Sequence, residues 1–239
     1  SYYIKDSLPG TSADKIGQLL ADHDSLYIGT EDGLYIYNQQ TDRITRSHTL
    51  PEKLSVLCLL KAGGSLYVGS TTGLYKLTGD KSKRITGSGI AVRAMATLGR
   101  NRYLISMGSQ IAVMDGQGKI IKFFDSQLFE PLGIPNFDVF NMYKDGVGVI
   151  WLCTNHGLYA YNGSNESFTR LHFAKTETRE VNTVRAIAGA GNDVLYIGTE
   201  NGLYIYHRST KLAENYGQSF DYNPKKLNDK AIYSAFIAG

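Results

Sequence analysis

A thirteen-residue stretch occurs twice in this chain, and it limits the fold more than any other feature. LYIGTEDGLYIYN at 26–38 returns as LYIGTENGLYIYH at 195–207, with 11 of 13 positions identical. A catalytic motif is normally used once, whereas a structural unit that stacks against copies of itself recurs along the chain. The repetition therefore indicates a repeat protein.

Three further copies follow the same pattern. They are LYVGSTTGLYKLT at 66–78, YLISMGSQIAVMD at 103–115 and IWLCTNHGLYAYN at 150–162. A column of small residues runs through all the copies at steps of 40, 37, 47 and 45 residues: Gly29, Gly69, Ser106, Cys153 and Gly198. Such steps are too long for leucine-rich or ankyrin repeats and match one four-stranded blade of a β-propeller.

Each copy reads as a meander of four strands. An apolar run such as KLSVLCLLK precedes the hairpin, and a weaker strand such as RITRSH follows it. Gly33 stands where the hairpin reverses and a positive φ is required; its counterparts are Gly73, Gly157 and Gly202, whereas the third copy has Gln110.

The hairpin strands carry apolar residues on both faces, which predicts burial on both faces between neighbouring blades. We expect the small residue of the Gly29 column to make room for an aromatic ring of the adjacent blade. We also expect one set of aromatic side chains to be buried between blades: Tyr27, Tyr35, Tyr67, Trp151 and Tyr196.

Composition excludes several classes of function. The net charge of +3 is too small to imply nucleic acid or an anionic membrane, and the basic run KSKR at 81–84 is expected in a solvated turn. Cys58 and Cys153 lie in non-adjacent repeats without CxxC spacing, so we interpret both as buried, inert thiols. We predict neither a metal nor a cofactor.

At this point the motifs resemble a known family. LYIGTEDGLYIYN, LYIGTENGLYIYH and IWLCTNHGLYAYN resemble the two-component regulator propeller repeat, roughly L-W-I-G-T-x-x-G-L-x-x-Y-D. LPGTSADKIGQLL, LGIPNFDVFNMYKD and LNDKAIYSAFIAG are similar to that family's linker into the innermost strand. The resemblance covers nearly the whole chain, with the 103–115 copy departing in its Gly and aromatic columns.

The resemblance implies an all-β fold, a β-propeller of four-stranded antiparallel blades with five recognisable repeats plus a partial sixth. Residues 1–239 would form a single β-propeller domain or a fragment of one. KAIYSAFIAG at 230–239 reads as the first strand of the sixth unit, and SYYIK at 1–5 reads as a fourth strand without its own blade. We therefore expect a truncated propeller.

The resemblance also implies a function. Members of this family form the periplasmic sensor region of hybrid two-component regulators and commonly control carbohydrate use. The chain is then expected to be a periplasmic ligand sensor and not an enzyme, with the histidine kinase elsewhere in the full-length protein. Expected partners are an oligosaccharide or another polar small ligand, and a second propeller or a homodimer partner. Nucleic acid and direct membrane contact are not expected.

Propellers usually bind ligands at the tips of the second-to-third strand hairpins and at the linkers into the first strand. The ligand-binding candidates at the tips are Glu31, Asp32, Asn155, His156, Glu200 and Asn201. Linker candidates are Asp14, Lys15, Asn136, Asp138, Asn182, Arg185, Asn228 and Asp229. For any one of these side chains taken singly, ordinary turn chemistry is the favoured explanation.

Two other functions stay open. A protein-binding scaffold would use the same surface, and its tips would be aromatic and apolar. A propeller lyase or hydrolase would need an acid–base set, for which Glu31, His156 and Glu200 are the candidates. The tips are polar, which favours a polar small ligand.

Overall fold

The computed structural model describes residues 15–87, 89–124, 138–175, 178–215 and 231–235. These residues form twenty strands in five four-stranded antiparallel sheets, together with one helix of four residues. The prediction of an all-β chain of four-stranded propeller blades is therefore confirmed. The chain divides into two compact units, Ser1–Phe124 and Asp125–Gly239. The prediction of a single domain remains a prediction.

The first unit contains blades 1 to 3. Blade 1 consists of β1 (Ile16–Asp22), β2 (Ser25–Thr30), β3 (Gly33–Asn38) and β4 (Arg43–Arg46). Blade 2 consists of β5 (Val56–Ala62), β6 (Ser65–Ser70), β7 (Gly73–Thr78) and β8 (Lys81–Arg84). Blade 3 consists of β9 (Met95–Gly99), β10 (Arg102–Met107), β11 (Gln110–Asp115) and β12 (Ile120–Phe124).

The second unit contains blades 4 and 5. Blade 4 consists of β13 (Val139–Lys144), β14 (Ile150–Thr154), β15 (Gly157–Asn162) and β16 (Ser167–Leu171). The helix α1 (Arg179–Asn182) leads into blade 5, which consists of β17 (Val184–Ala190), β18 (Val194–Thr199), β19 (Gly202–His207) and β20 (Leu212–Asn215). In every blade the strands pair in sequence order, so each blade is a simple meander.

The hairpin between the second and third strands is built as the sequence predicts. Thr30 pairs with Gly33 at its end, and the Thr30 hydroxyl donates to the Gly33 carbonyl at 3.0 Å. Gly33 has a φ of 145°, a conformation that residues with a Cβ rarely adopt. The same hydroxyl-to-carbonyl bond recurs at Ser70, Thr154 and Thr199. The turn is therefore fixed by a local side-chain bond as well as by glycine.

The small-residue column does allow close approach, but the neighbouring group is not an aromatic ring. A Cβ on Gly29 would lie 2.6 Å from Val56 Cγ1, on the first strand of the next blade. A Cβ on Gly69 would lie 2.5 Å from the carbonyl oxygen of Val92, just before β9. Branched aliphatic residues and backbone therefore fill this space, because the first strand runs across the face of the preceding blade.

Burial between blades is confirmed for Tyr67 and Trp151, which are 1% and 6% exposed and whose core clusters include residues of the next blade. Tyr35 is also buried, at 0% exposed, but its core cluster consists of residues of blade 1 alone. Tyr27 and Tyr196 are only half-buried. Each of these two rings lines a cavity, so no neighbouring side chain covers it completely.

The basic run KSKR is not in a turn. It forms β8, the outermost strand of blade 2, and all four side chains are exposed. An outer strand has one unpaired edge, and lysines on such an edge oppose pairing with another chain. The run therefore fits a charged sheet edge.

The partial sixth blade is not shown by the structure. Residues 231–235 are described without a strand, and residues 1–14 and 236–239 lie outside the described residues. Within the second unit, the Ile232 amide donates to the Thr199 carbonyl at 2.9 Å. The Val92 amide makes the same bond to Ser70 in the first unit, also at 2.9 Å. Ile232 thus packs on blade 5 as a blade-leading residue packs on its neighbour.

The close approach at Gly69 predicts a large effect of one methyl group. Gly69→Ala places its Cβ 2.4 Å from Cys58 Sγ and 2.5 Å from a backbone oxygen, so it should lower the free energy of unfolding by roughly 1–3 kcal/mol. Gly87→Ala is the control, since nothing lies within 4 Å of its Cβ position. Equal urea midpoints for the two variants would contradict this packing.

Trp151 offers a second test of the packing between blades 4 and 5. Its indole Nε1 donates to Asp145 Oδ2 at 2.6 Å, and its ring is in the core cluster with Leu195 and Ile197. Trp151→Ala should lower the free energy of unfolding by roughly 3–5 kcal/mol in a denaturant melt. Phe123→Ala, at a side chain that is 52% exposed, should cost far less.

Candidate ligand-binding face at the hairpin tips

The hairpin tips and the linkers into the first strands lie at the same end of each blade. A backbone bond joins them in every blade, from a tip amide to a linker carbonyl. The bonds are Glu31 to Lys15 (3.2 Å), Thr71 to Ser55 (3.1 Å), Gly108 to Ala91 (2.8 Å), Asn155 to Asp138 (3.2 Å) and Glu200 to Thr183 (3.1 Å). The predicted grouping of tips with linkers is therefore correct within each blade.

A feature that the sequence did not reveal lies beside the tips of four blades. The pairing of the first with the second strand shifts register just after its first residue in blades 1, 2, 4 and 5. The residues at this bulge are Gly17, Leu57, Phe140 and Arg185. A bulge re-aims the side chain of its extra residue. In the sequence, the bulge was indicated by the residue directly after Val56, Val139 and Val184, which differs from repeat to repeat.

Arg185 is the centre of a cluster in the second unit. Its guanidinium forms two bonds to Glu200 Oε1, from Nε at 3.1 Å and from Nη2 at 2.6 Å. The guanidinium carbon lies 3.9 Å from the Phe140 ring centroid and 5.9 Å from that of Tyr233. A guanidinium is weakly hydrated, so it stacks on aromatic rings at little desolvation cost. Two candidates from the sequence, Glu200 and Arg185, are thus brought together.

The two acidic residues at the tip of blade 1 differ in exposure and in their partners. The Glu31 carboxylate pairs with Lys15 at 3.2 Å, and both side chains are more than half exposed. The Asp32 side chain is only 13% exposed; it accepts from the Tyr35 hydroxyl at 3.0 Å and pairs with Arg46 at 3.5 Å. Asp32 is therefore held inside its own hairpin, while Glu31 faces solvent.

The tip of blade 4 is tied to its linker. Asn155 Oδ1 accepts from the Asp138 amide at 2.8 Å, and the His156 amide donates to Thr154 Oγ1 at 3.0 Å. Both tip side chains are half-buried. These contacts are turn chemistry of the kind that any ordered hairpin uses.

Asn201 follows Glu200 in the sequence and lines a cavity of about 500 Å³ in the second unit. Arg185 is not among the residues that line this cavity. Aromatic, hydroxyl and amide groups share its walls, among them Phe173, Thr178, Tyr204 and Asn215. Four linker candidates lie outside the described residues: Asp14, Asn136, Asn228 and Asp229.

Neither thiol has the environment of a reactive cysteine. Cys58 and Cys153 are free and buried. Burial raises the pKa of Cys58 to about 12, and it raises the pKa of Cys153 as well. The Cys58 thiol also contacts the Val92 carbonyl at 3.4 Å, which fits a packing role. Among the described residues, no group of three or more His, Cys, Asp or Glu side chains is placed to hold a metal ion.

The sequence matches no protein-family model and no curated protein. Solved structures do resemble it. The extracellular domain of a putative hybrid two component system from B. thetaiotaomicron matches with a TM-score of 0.69 and 19% identity, over 85% of this chain and 29% of that one. The extracellular domain of a putative one component system from the same organism matches over 95% of this chain and 36% of that one, with a TM-score of 0.62 and 20% identity.

An enzyme also shares the fold. An ancestral GH74 enzyme matches with a TM-score of 0.70 and 15% identity, over 91% of this chain and 32% of that one. The two extracellular domains confirm the resemblance to the propellers of such signalling systems at the level of the fold. The chain spans 29% and 36% of their lengths. No helix in the described ranges is long and apolar enough to cross a membrane.

The thiol environments predict a simple labelling result. At pH 8 a thiol with a raised pKa carries little thiolate, and burial also blocks the reagent. Native protein should therefore leave both cysteines unreacted with a disulfide reagent over minutes, and denatured protein should expose both. Rapid reaction of one thiol in the native state would show that its site opens.

Proposed function

We propose that this chain is part of the extracytoplasmic ligand-sensing region of a bacterial two-component receptor, with a carbohydrate-derived signal. The observation that carries the proposal is its shared fold with two extracellular domains of signalling systems. The kinase or other output region belongs to the rest of the receptor.

The chemistry of the tips supports a polar ligand. Glu31 faces solvent beside Lys15, and Glu200 is fixed by Arg185 next to the exposed ring of Tyr233. Carboxylates accept hydrogen bonds from hydroxyl groups, and guanidinium and ammonium groups donate them. Polyol recognition needs both kinds of partner at fixed positions, and each cluster supplies both.

The tips also differ between copies, so each blade presents its own set of polar side chains. Blade 1 presents Glu31 and Asp32, blade 4 presents Asn155 and His156, and blade 5 presents Glu200 with Asn201. The strands beneath them are buried on both faces and have little freedom to change. Differences in recognition are therefore concentrated at the tips and at the bulged residues beside them.

A glycoside hydrolase is the second candidate, because an ancestral GH74 enzyme has the same fold. Glycoside hydrolysis needs one carboxyl group that donates a proton and a second that acts as base or nucleophile. The tip carboxylates of Glu31, Asp32 and Glu200 each have a cationic partner. A carboxylate paired with a cation is suited to accept hydrogen bonds from a ligand and not to donate a proton. Ligand sensing is therefore the better proposal. Release of reducing sugar by the purified chain would reverse this preference.

The test is a screen of oligosaccharides by thermal shift. A ligand that binds only the native state stabilises it by an amount that grows with the logarithm of its concentration above Kd, and so raises the apparent melting temperature. The double variant Glu31→Ala, Glu200→Ala should lose this shift while keeping its circular dichroism spectrum, because exposed and half-exposed pairs contribute about 1 kcal/mol or less.

The matched control removes two carboxylates from the other end of the same blades, Asp24→Ala with Asp193→Ala. Both lie in turns between the first and second strands and accept bonds from neighbouring turn residues. This control should keep the ligand shift. A full shift in the tip variant, or an equal loss in the control, would place the site away from Glu31 and Glu200.

A further inference from the structure

The junction between blades 1 and 2 encloses a cavity of about 470 Å³ within the first unit. This volume falls in the range of about 300–1,000 Å³ that small-molecule sites occupy. None of the six tip candidates lines it. The cavity walls are formed by residues of both blades: Tyr27, Leu34, Ile36, Ser47, His48, Thr49, Lys61, Gly64, Leu66, Leu77, Gly79 and Asp80.

The corresponding space is filled by protein in the junction between blades 2 and 3. Tyr67, the counterpart of Tyr27, packs against Tyr103 with ring centroids 5.2 Å apart. Its hydroxyl donates to the Gly116 carbonyl at 3.3 Å, and Lys76 donates to the same oxygen at 3.0 Å. The turn after β11 thereby closes over the ring.

The junction between blades 4 and 5 is filled by a different side chain. The Arg208 guanidinium lies 5.5 Å from the Trp151 ring centroid and bonds to Asp145 at 2.7 Å. Arg208 follows β19, as Gly79 follows β7. Gly79 has no side chain to reach over Tyr27, and blade 2 has Leu66 where blade 3 has the larger Tyr103. The cavity therefore results from the residues at two repeat positions of blade 2, Gly79 and Leu66.

The walls combine an apolar floor with a polar rim. Leu34, Leu66 and Leu77 are buried beneath it, and the half-buried Tyr27 ring forms one side. Lys61 lies 5.5 Å from the Tyr27 centroid and is held there by Asp22 at 2.9 Å. The hydrogen bond from Lys61 lowers the pKa of the Asp22 carboxyl, so the pair stays charged at neutral pH.

The rim offers both donors and acceptors. The exposed side chains of His48 and Asp80 have no hydrogen-bond partner among the described residues. The Ser47 and Thr49 hydroxyls bond to each other at 2.8 Å and add further polar atoms. A ligand that fits has one apolar face and several hydroxyl groups around its edge, which describes a sugar ring.

We propose that the junction of blades 1 and 2 is a binding site for a single pyranose ring of a saccharide. The C–H face of the sugar lies on Tyr27 and the leucine floor. Its hydroxyl groups donate to the Asp80 carboxylate and accept from His48 and Lys61. The choice of a sugar rests on the proposed function, whereas the location rests on the cavity.

The experiment titrates the whole chain with methyl pyranosides of glucose, mannose, galactose and xylose by saturation-transfer NMR. At least one should bind at millimolar concentration. Asp80→Asn and His48→Ala should each weaken its Kd about tenfold, because the first replaces a charged acceptor by a neutral one and the second removes a hydrogen bond. Leu66→Tyr, which copies Tyr103 of blade 3, should abolish binding by filling the cavity.

The control is Asp42→Asn, in the corresponding turn of blade 1, which should leave Kd unchanged. Thermal melts of every variant check that the fold is retained. Absence of binding by all four pyranosides, or unchanged Kd in both rim variants, would overturn the proposal. Retained pyranoside binding in the Glu31→Ala, Glu200→Ala variant supports the cavity as a site separate from the oligosaccharide site at the tips. Loss in that variant alone would overturn the cavity and leave the tip face as the sugar site.

Discussion

Between blades 1 and 2, Gly29 approaches Val56 so closely that a single Cβ would lie 2.6 Å from its side chain. The same approach recurs at Gly69 with Val92 and at Gly198 with Ile232. Because the first strand of one blade is pressed onto the second strand of the previous one, the hairpin strands are buried on both faces. Their apolar residues are then explained by packing, and function is left to the ends of the blades.

That constraint also explains how the ends are organised. The first strand must cross its neighbour closely and still pair with its own second strand, and a bulge at its start reconciles both requirements. The bulge directs Phe140 and Arg185 beside the tips of the second unit, where Arg185 holds Glu200. A packing requirement thus places a charged and aromatic cluster where a ligand can reach it.

The interblade space is not filled in the same way at every junction. Large or charged side chains close the aromatic column at Tyr67 and Trp151, whereas Tyr27 remains beside a cavity. Repeats that share a backbone are free to vary at such positions, because one substitution changes the volume of a junction without changing strand pairing. The chain can therefore hold candidate sites both at its tips and between two of its blades.

The blades themselves follow from the sequence alone. Strand alternation, the hairpin glycines such as Gly33 and the recurrence of LYIGT are local signals, and local signals determine pairing between strands that are adjacent in sequence. Tertiary structure decided what local signals cannot contain: that Val56 and not an aromatic ring meets Gly29, that Asp32 is bound within its hairpin, and that KSKR forms an edge strand. The first depends on side chains that meet only when two blades stack. The contacts of Asp32 and the pairing of KSKR lie within single blades, and they depend on how the strands of each blade pair and bring residues of separate turns and strands together.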